Sequence, residues 1–464
     1  MLRRRSAASL TRGDLAPILT ALRAANMAVA RACPGESEER QPVHTVYGGA
    51  HLFRADSAPK LGALGLAALD EYAPDAPAFA RALGLEHEGP PGGGFAATVR
   101  SRVVDKLRRE PVEDFRIDFE DGYGNRQDAE EDAHAQSAAR EVAAGLVAGT
   151  LPPFIGIRIK PMSKELHARS LRTLDLFVTT LVRTIDRQSY PLPPNFVVTV
   201  PKLMSAAHVA AAARACTALE KRLKLPARAL KLELMIETPQ SILAPDGSPA
   251  LRALVAAGDG RVTGAHFGTY DYTALCGITA SWQHLRHPAC DFAKHMMQVG
   301  LAQSGVRLSD GATIVMPIAP HRAPAGAALS AEQVRQNAAA IHRAWKLHFD
   351  DVRHSLVSGF YQGWDLHPAQ LPTRYAAVYS FFLSALPAAT ARLRNFAEKA
   401  ARATLIGDVF DDAATGQGLL NFFVRGLSSG ALTMEEAGAT GLSREELQGR
   451  SFLAILENRR RPQR

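Results

Sequence analysis

The sequence predicts an α/β protein organised as a (β/α)8 barrel. From residue 115 onward, short apolar segments typical of buried strands alternate with longer segments of helical character. Such alternation implies parallel strands joined by crossover helices. With one more strand near residue 43 the count reaches eight, the number that closes a barrel. A doubly wound open sheet is the competing fold, but no GxGxxG loop follows an early strand.

The N-terminal extension, residues 1–40, is predicted to contain one helix over residues 14–32. Asp14 is the expected N-cap, and Leu15, Ile18 and Leu22 belong to an apolar stripe with helical spacing. We expect that stripe to pack on the main body of the protein.

The barrel is assigned to residues 41–386, and a C-terminal helical segment to residues 387–464, because only helical patterns follow His367. The predicted strands cover residues 43–53, 115–121, 154–160, 196–202, 230–237, 262–272, 311–316 and 360–367. The helices between them are predicted at 60–84, 129–148, 164–187, 205–223, 248–257, 289–304 and 330–358. The C-terminal helices are predicted at 371–386, 388–405, 416–427 and 443–457.

The fifth predicted strand, LKLELMIET, has two different faces. Leu232, Leu234 and Ile236 alternate with a second set of side chains that includes Glu233 and Glu237. Since the other strands have the composition of buried segments, the charged face is expected to point into a shared polar cavity rather than into bulk water.

Composition and charge are those of a soluble globular protein. Hydrophobic residues make up 47% and charged residues 22% of the chain. No apolar run approaches the roughly 18 residues that a membrane span needs. The net charge of +8 includes arginine clusters at both ends, which indicates solvated termini rather than a nucleic-acid groove. Four cysteines without a CxxC pair favour a reducing compartment, so we expect a cytoplasmic protein that binds neither nucleic acid nor membrane.

Charged side chains recur where the predicted strands end. Catalytic groups of a barrel collect at the carboxyl ends of its strands, so these side chains should share one rim. Burying them singly would cost several kcal/mol, which implies that they pair with one another or with a bound ion. A purely structural ion-pair network is the alternative. The strand-end residues are Asp118, Glu120, Asp121, Arg158, Lys160, Lys202, Glu237, Asp271, Asp365 and His367.

Glu237 and Asp271 are the predicted metal ligands. They follow successive strands, and neighbouring barrel strands lie about 4.8 Å apart, so both carboxylates can reach one cation. Because the motif offers only oxygen donors, Mg²⁺ is expected rather than zinc, with Mn²⁺ as an alternative occupant.

Six strand motifs, taken in order, resemble those of the citrate lyase β-subunit and HpcH/HpaI aldolase superfamily, which also contains malate synthase. They are RIDFED, GIRIKP, VPKLMS, LMIET, HFGTYDYT and GWDLHPAQ, and they lie between residues 112 and 375. The resemblance implies a (β/α)8 barrel of phosphoenolpyruvate/pyruvate-domain type. It also implies a Mg²⁺ ion held by Glu237 and Asp271, and an active-site arginine at Arg158.

A second resemblance lies outside the barrel. Residues 409–437, which begin VFDDAATGQG, are similar to the C-terminal segment of malate synthase, in which the second of two acids is the catalytic base. That correspondence makes Asp412 the base. A plain N-cap acid on a surface helix is the alternative reading.

The predicted function is enolate chemistry on a 2-oxo acid and an acyl-CoA, as in malate synthase or citrate lyase. Arg158 would stabilise the enolate oxygen and Asp412 would remove the proton next to a thioester carbonyl. The other rim residues, Lys202, Glu120, Asp121 and His367, are predicted to contact substrate. A class II aldolase that cleaves a 4-hydroxy-2-oxo acid without CoA and a non-catalytic binding or regulatory barrel are the alternatives. A homo-oligomer is expected from the resemblance.

Overall fold

The computed structural model describes most of the chain, including every strand of the predicted barrel. The described residues are 9–35, 39–86, 88–89, 94–185, 192–324, 326–398, 404–406, 409–411, 413–449, 451–452, 455 and 458–459.

Eight parallel strands form the centre of the fold. They pair in the order β7-β6-β5-β4-β3-β2-β1-β8. Just beyond β7, Ala312 bridges to Trp364 in parallel register, and the Asp310 N–H donates to the Gln362 carbonyl at 2.8 Å, so the two ends of the sheet meet. The predicted (β/α)8 barrel is therefore confirmed. The strands are β1 (His44–Gly49), β2 (Asp114–Asp118), β3 (Phe154–Arg158), β4 (Phe196–Val200), β5 (Lys231–Ile236), β6 (Val262–Phe267), β7 (Arg307–Ser309) and β8 (Gly363–Asp365).

Helices surround the barrel and continue beyond it. Those of the N-terminal half are α1 (Arg12–Ala32), α2 (Ser57–Tyr72), α3 (Ala76–Leu83), α4 (Phe95–Arg109), α5 (Asp128–Ala148), α6 (His167–Thr184) and α7 (Ala206–Leu223). They are followed by α8 (Pro239–Ile242), α9 (Leu251–Ala257), α10 (Thr269–Leu275), α11 (Pro288–Leu301) and α12 (Ala331–Val357). The last are α13 (Leu371–Glu398), α14 (Ala413–Ser428), α15 (Met434–Gly438) and α16 (Arg444–Gln448). Short 3-10 helices cover Ala280–Trp282 and Pro368–Gln370, and an antiparallel pair, β9 (Thr404–Ile406) and β10 (Val409–Asp411), precedes α14.

The two faces of β5 point to different environments, as predicted. Leu232 and Leu234 are buried in the main hydrophobic core. Glu233 is buried among polar groups instead, and it accepts hydrogen bonds from the Arg116 guanidinium at 3.0 and 2.7 Å and from the Thr199 hydroxyl at 2.7 Å. Because each member of this network has a partner, the cost of burying its charges is offset.

The seventh strand lies earlier than predicted. It spans Arg307–Ser309, whereas the apolar run near residue 314 is loop, with Ile314 51% and Val315 48% exposed. The buried Asp310 follows the strand. Its carboxylate accepts hydrogen bonds from the Lys294 ammonium at 3.0 Å and from the Gly311 backbone N–H at 2.7 Å. The apolar run at residues 311–316 therefore placed the predicted seventh strand too late in the chain.

The prediction of separate helices on either side of Pro387 is wrong, because α13 runs through this residue. The lost backbone hydrogen bond costs about 3 kcal/mol. Burial of Tyr375, Phe382, Leu393 and Phe396 along the helix offsets it. The stretch Pro368–Ala397 is long and apolar enough to cross a membrane, but 50% of its most apolar window is buried, as in the core helix of a globular fold. The proposed domain boundary at residue 387 stays a prediction.

The N-terminal helix α1 does not pack as expected. None of its residues is buried, and Ile18 and Leu22 are 49% and 51% exposed. It begins at Arg12, two residues earlier than predicted, because Thr11 rather than Asp14 is the N-cap and the two residues form a capping box. The helix contacts the body at its end, where the Arg252 guanidinium donates to the Ala32 carbonyl.

Candidate active site

A cavity of about 670 Å³ opens at the carboxyl ends of the barrel strands. Its lining combines polar and apolar side chains, as is typical of small-molecule sites. The polar lining includes Asp118, Asp121, Arg158, Glu237 and Asp271. The apolar lining includes Tyr47, Leu52, Phe53, Leu61, Trp364, Leu366 and Leu371.

Arg158, at the end of β3, is a fixed positive charge in the cavity wall. Its guanidinium is 4% exposed and donates to both carboxylate oxygens of Asp118, at 2.7 and 2.6 Å. Its Nη1 also lies 3.0 Å from Glu120 Oε2, and its charge sits 4.9 Å above the Tyr47 ring. This paired arrangement holds the arginine in one orientation.

Glu237 follows β5 and is almost fully buried, at 1% exposure. The Lys202 backbone N–H donates to its Oε1 at 2.6 Å. Burial, followed by the charges of Glu120 and Asp271, raises the pKa of Glu237 to about 8. A Cβ at position 268 would lie 2.5 Å from the Glu237 Cβ, so only glycine fits after β6.

Asp271 lies in α10, immediately after β6, and is partly exposed to the same cavity. Burial, and less strongly the Asp121 charge, raise the pKa of Asp271, although Lys202 and Arg158 oppose this shift. Asp271 and Glu237 thus have pKa values raised by burial and by neighbouring carboxylates. A cation between them would reverse that unfavourable charge balance.

Lys202 reaches into the carboxylate cluster from the end of β4. Its Nζ lies 2.6 Å from Glu120 Oε1, 3.0 Å from Asp121 Oδ1 and 3.6 Å from Asp271 Oδ1. Burial by itself lowers the pKa of Lys202, but the charges of the neighbouring acids, Glu120 first, outweigh burial. The net effect raises the pKa above its ordinary value, so the amine stays charged. Its φ of 49° is in the left-handed region, which costs about 1 kcal/mol or more for a residue other than glycine.

The donor set fits a hard divalent cation. Each candidate ligand is a carboxylate, and Mg²⁺ is commonly held by one or two carboxylates together with water and substrate oxygens. Within the described ranges no group of three His, Cys, Asp or Glu side chains is arranged as a complete metal cage. Glu237 and Asp271 would therefore provide the protein ligands and leave positions open for substrate.

The remaining predicted residues fall in different places. His367 lines the cavity, where its Nδ1 accepts from the Ala369 backbone N–H at 3.2 Å and burial lowers the pKa of the ring. Asp365 is buried away from that wall, in a cluster with His44 and Arg374. Asp412 lies outside the described residues, so its role as a base stays a prediction.

The helix that follows Asp412 starts far from the cavity of its own chain. A Cβ at Gly416, in the first turn of α14, would lie 2.5 Å from the Phe396 ring. Leu371, the first residue of α13, lines the cavity, and Phe396 lies 25 residues further along the same helix. At the rise of an α-helix, these two residues are about 37 Å apart. The described start of α14 therefore lies far from the part of the cavity lining that α13 contributes.

Sequence reasoning missed Tyr47 and Trp364. Their rings lie 4.5 Å apart between centroids in the cavity wall, and Tyr47 packs against Arg158. The Tyr47 hydroxyl is 3.4 Å from His266 Nδ1. Tyr47 stands directly before two glycines at the end of the first strand, so the strand-end argument applied to the acids would have found it.

The fold and this cavity define a (β/α)8-barrel protein with an arginine and a carboxylate cluster at its carboxyl-end mouth. The chain belongs to the family described as domain of unknown function DUF6986, whose family model matches residues 22–455. No functionally curated protein matches the sequence.

Solved structures with a similar fold include a citrate lyase from Burkholderia xenovorans LB400, with 18% identity and a TM-score of 0.51, covering 76% of this chain and 98% of that one. The CitE protein of Mycobacterium tuberculosis in complex with magnesium, acetoacetate and coenzyme A has 14% identity and a TM-score of 0.46, covering 85% and 100%. A Haloferax volcanii malate synthase lead(II) complex has 16% identity and a TM-score of 0.42, covering 78% and 92%. The citrate lyase likeness shows the fold.

Proposed function

We propose that the protein is a divalent-metal-dependent carbon–carbon lyase or condensing enzyme that acts through an enolate on a 2-oxo acid, with an acyl-CoA as the second substrate. This proposal depends on one observation: an arginine that is doubly hydrogen-bonded to Asp118 and two carboxylates of raised pKa line one cavity at the carboxyl-end mouth of the barrel. The six ordered motifs that resemble the citrate lyase and malate synthase superfamily support the same reaction class.

The residues of the candidate active site have different roles in this proposal. Glu237 and Asp271 would hold Mg²⁺ or Mn²⁺, which when bound polarises a carbonyl as a Lewis acid. Arg158 supplies a fixed positive charge to an oxygen that becomes negative as the enolate forms, which stabilises the transition state more than the ground state. Lys202 balances Glu120 and Asp121, so that these acids do not repel an anionic substrate.

The apolar part of the lining has a separate role. Tyr47 and Trp364 form a ring pair beside Arg158 and keep water from the arginine. Exclusion of water strengthens the interaction of the guanidinium with a developing oxyanion. His367 lines the same cavity and would contact substrate.

Proton removal is assigned to Asp412, as the resemblance of residues 409–437 to malate synthase implies. The described beginning of α14 packs against the end of α13 that is distant from the cavity. This supports a homo-oligomer in which Asp412 acts on the substrate of a neighbouring barrel. The same observation favours one alternative, a CoA-independent aldolase cleaving a 4-hydroxy-2-oxo acid, because that reaction could use residues of one barrel alone.

A thiol-release assay tests this function. A panel of acyl-CoAs is combined with glyoxylate, pyruvate or oxaloacetate, with and without Mg²⁺, and free CoA is measured. Metal-dependent thiol release with one pair supports the condensing enzyme. Cleavage of a 4-hydroxy-2-oxo acid without thiol release supports the aldolase. A protein that binds neither Mg²⁺ nor an oxo acid at millimolar concentration is a non-catalytic barrel.

A further inference from the structure

A second cavity, of about 500 Å³, lies at the opposite end of the barrel. Its lining includes the first residues of three strands, Phe196 in β4, Lys231 in β5 and Arg307 in β7. These are the amino ends of parallel strands, whereas the candidate active site lies at their carboxyl ends. The volume falls within the roughly 300–1,000 Å³ of small-molecule sites.

One part of this second cavity is apolar. The end of α6 and the loops beside it contribute aliphatic and proline side chains, and Phe196 adds an aromatic ring. Such a surface favours a ligand with a hydrocarbon body, because each buried methylene contributes about 0.8 kcal/mol. The apolar wall includes Val182, Ile185, Leu192, Phe196, Leu225 and Pro226.

Arg307 is a positively charged residue of the cavity lining, and most of its N–H groups donate no hydrogen bond to the described residues. The side chain is 14% exposed, and its Nη1 donates to the Arg40 carbonyl at 3.2 Å. Glu39, which is itself 72% exposed, lies 3.6 Å away. A guanidinium has five N–H donors, and among the described residues no other hydrogen bond from Arg307 is formed. Burial lowers the pKa of Arg307, although the charges of Glu39, Asp114 and Glu233 oppose this shift.

Two further cations line the same cavity. Neither Lys224 nor Lys231 forms an ion pair with any part of the chain that the structure describes. Among the described residues of the lining, Arg307 and these lysines give three positive charges, and Glu39 is the one acid. The lining is therefore electropositive beside an apolar wall, which is the arrangement that an amphipathic anion would complement.

We propose that this second cavity binds a small amphipathic carboxylate, with its headgroup on Arg307 and its hydrocarbon body against the apolar wall. A planar carboxylate matches the free donors of a guanidinium, and a charge-assisted pair of this kind is stronger than a neutral hydrogen bond. Lys224 and Lys231 attract the anion without needing direct contact. The site is independent of the reaction proposed for the opposite end of the barrel.

Titration calorimetry of the full chain with octanoate tests the proposal, with 1-octanol and inorganic phosphate as comparison probes. The expected result is saturable binding of one octanoate per chain, with 1-octanol and phosphate each at least tenfold weaker. Equal binding of 1-octanol, or tighter binding of phosphate, would overturn the assignment of a carboxylate. No saturable octanoate binding up to 10 mM, a limit of about −2.7 kcal/mol in binding free energy, would overturn the site itself.

Variants locate the binding. Ala229→Phe fills the cavity and Lys231→Gln removes one cation, so the first should abolish octanoate binding and the second should weaken it severalfold. Arg307→Gln should weaken binding at least tenfold, provided that its circular dichroism matches the parent. Lys164→Gln and Glu237→Gln serve as distant controls with unchanged affinity. Loss of binding in Glu237→Gln together with retention in Ala229→Phe would place octanoate in the other cavity and contradict the proposal.

Discussion

The backbone N–H of Lys202 donates a 2.6 Å hydrogen bond to Oε1 of Glu237, while the ammonium of the same lysine reaches Glu120, also at 2.6 Å. One residue thereby orients a candidate metal ligand through its main chain and neutralises a neighbouring acid through its side chain. The left-handed φ of 49° is the backbone geometry that accompanies both contacts. Strain of this kind is often retained at functional sites.

Replacement of Arg158 should reduce the rate more than substrate binding. Arg158→Lys keeps the positive charge but loses the paired hydrogen bonds to Asp118. We expect kcat to fall by roughly 100-fold to 1,000-fold with a smaller change in KM, since the charge is needed most in the transition state. Steady-state kinetics of the thiol-release reaction provides the measurement. A rise in KM of the same size, with kcat unchanged, would show that Arg158 contributes equally to binding of the ground state and the transition state.

Gly268 should be intolerant of a single methyl group. A Cβ there would lie 2.5 Å from the Glu237 Cβ and 2.6 Å from its Oε2, so Gly268→Ala must displace the carboxylate. We expect Mg²⁺ affinity to fall by roughly tenfold or more. The matched control is Gly418→Ala in α14, where no atom lies within 4 Å of the added methyl group. Unchanged Mg²⁺ binding in Gly268→Ala would show that Glu237 is not a ligand.

Stability at acid pH should depend on Glu110 at the end of α4. Burial raises the pKa of Glu110, but hydrogen bonds and charges from Arg40 and Lys106 outweigh it and lower the pKa to about 2. Because the folded-state pKa is below the ordinary value of 4.5, the stabilisation is present above pH 4.5 and is lost as the pH falls towards 2. Glu110→Gln should cost about 1 kcal/mol at pH 7, after allowance for solvent screening, and little near pH 2.

Urea unfolding of the parent and Glu110→Gln at pH 7, 4 and 3 measures this difference. The gap between the two unfolding free energies should narrow as the pH decreases. A gap that is constant over this range would show that Glu110 contributes through packing rather than charge.

Two inactive variants should complement each other when they are mixed. If Asp412 serves a neighbouring barrel, Asp412→Asn and Glu237→Gln are each inactive, but a mixed oligomer contains some sites with both native residues. Dissociation and reassociation of the two variants together should restore thiol release. Either variant carried through the same treatment alone is the control. Full cleavage of a 4-hydroxy-2-oxo acid by Asp412→Asn alone, with loss of that cleavage in Glu237→Gln, would favour the CoA-independent aldolase.

Much of the barrel could be predicted from the sequence, because its strands are short buried runs with local signatures. The strand-end position of Arg158, Glu237 and Asp271 also follows from the chain order, and the structure places all three in one cavity. The steric requirement at Gly268 could not be predicted, because it arises from contact with a side chain that is distant in sequence. Likewise, the burial of α13 that outweighs Pro387 depends on tertiary packing.

Glu237 and its neighbours are proposed to bind a divalent cation and a 2-oxo acid together. This can be measured by titration calorimetry of Mg²⁺ and then pyruvate into the native chain and into Glu237→Gln. We predict saturable Mg²⁺ binding that is weakened by roughly 100-fold or more in the variant, with pyruvate binding only after Mg²⁺. Identical Mg²⁺ binding in both proteins, or no binding to either at millimolar concentration, would contradict this proposal.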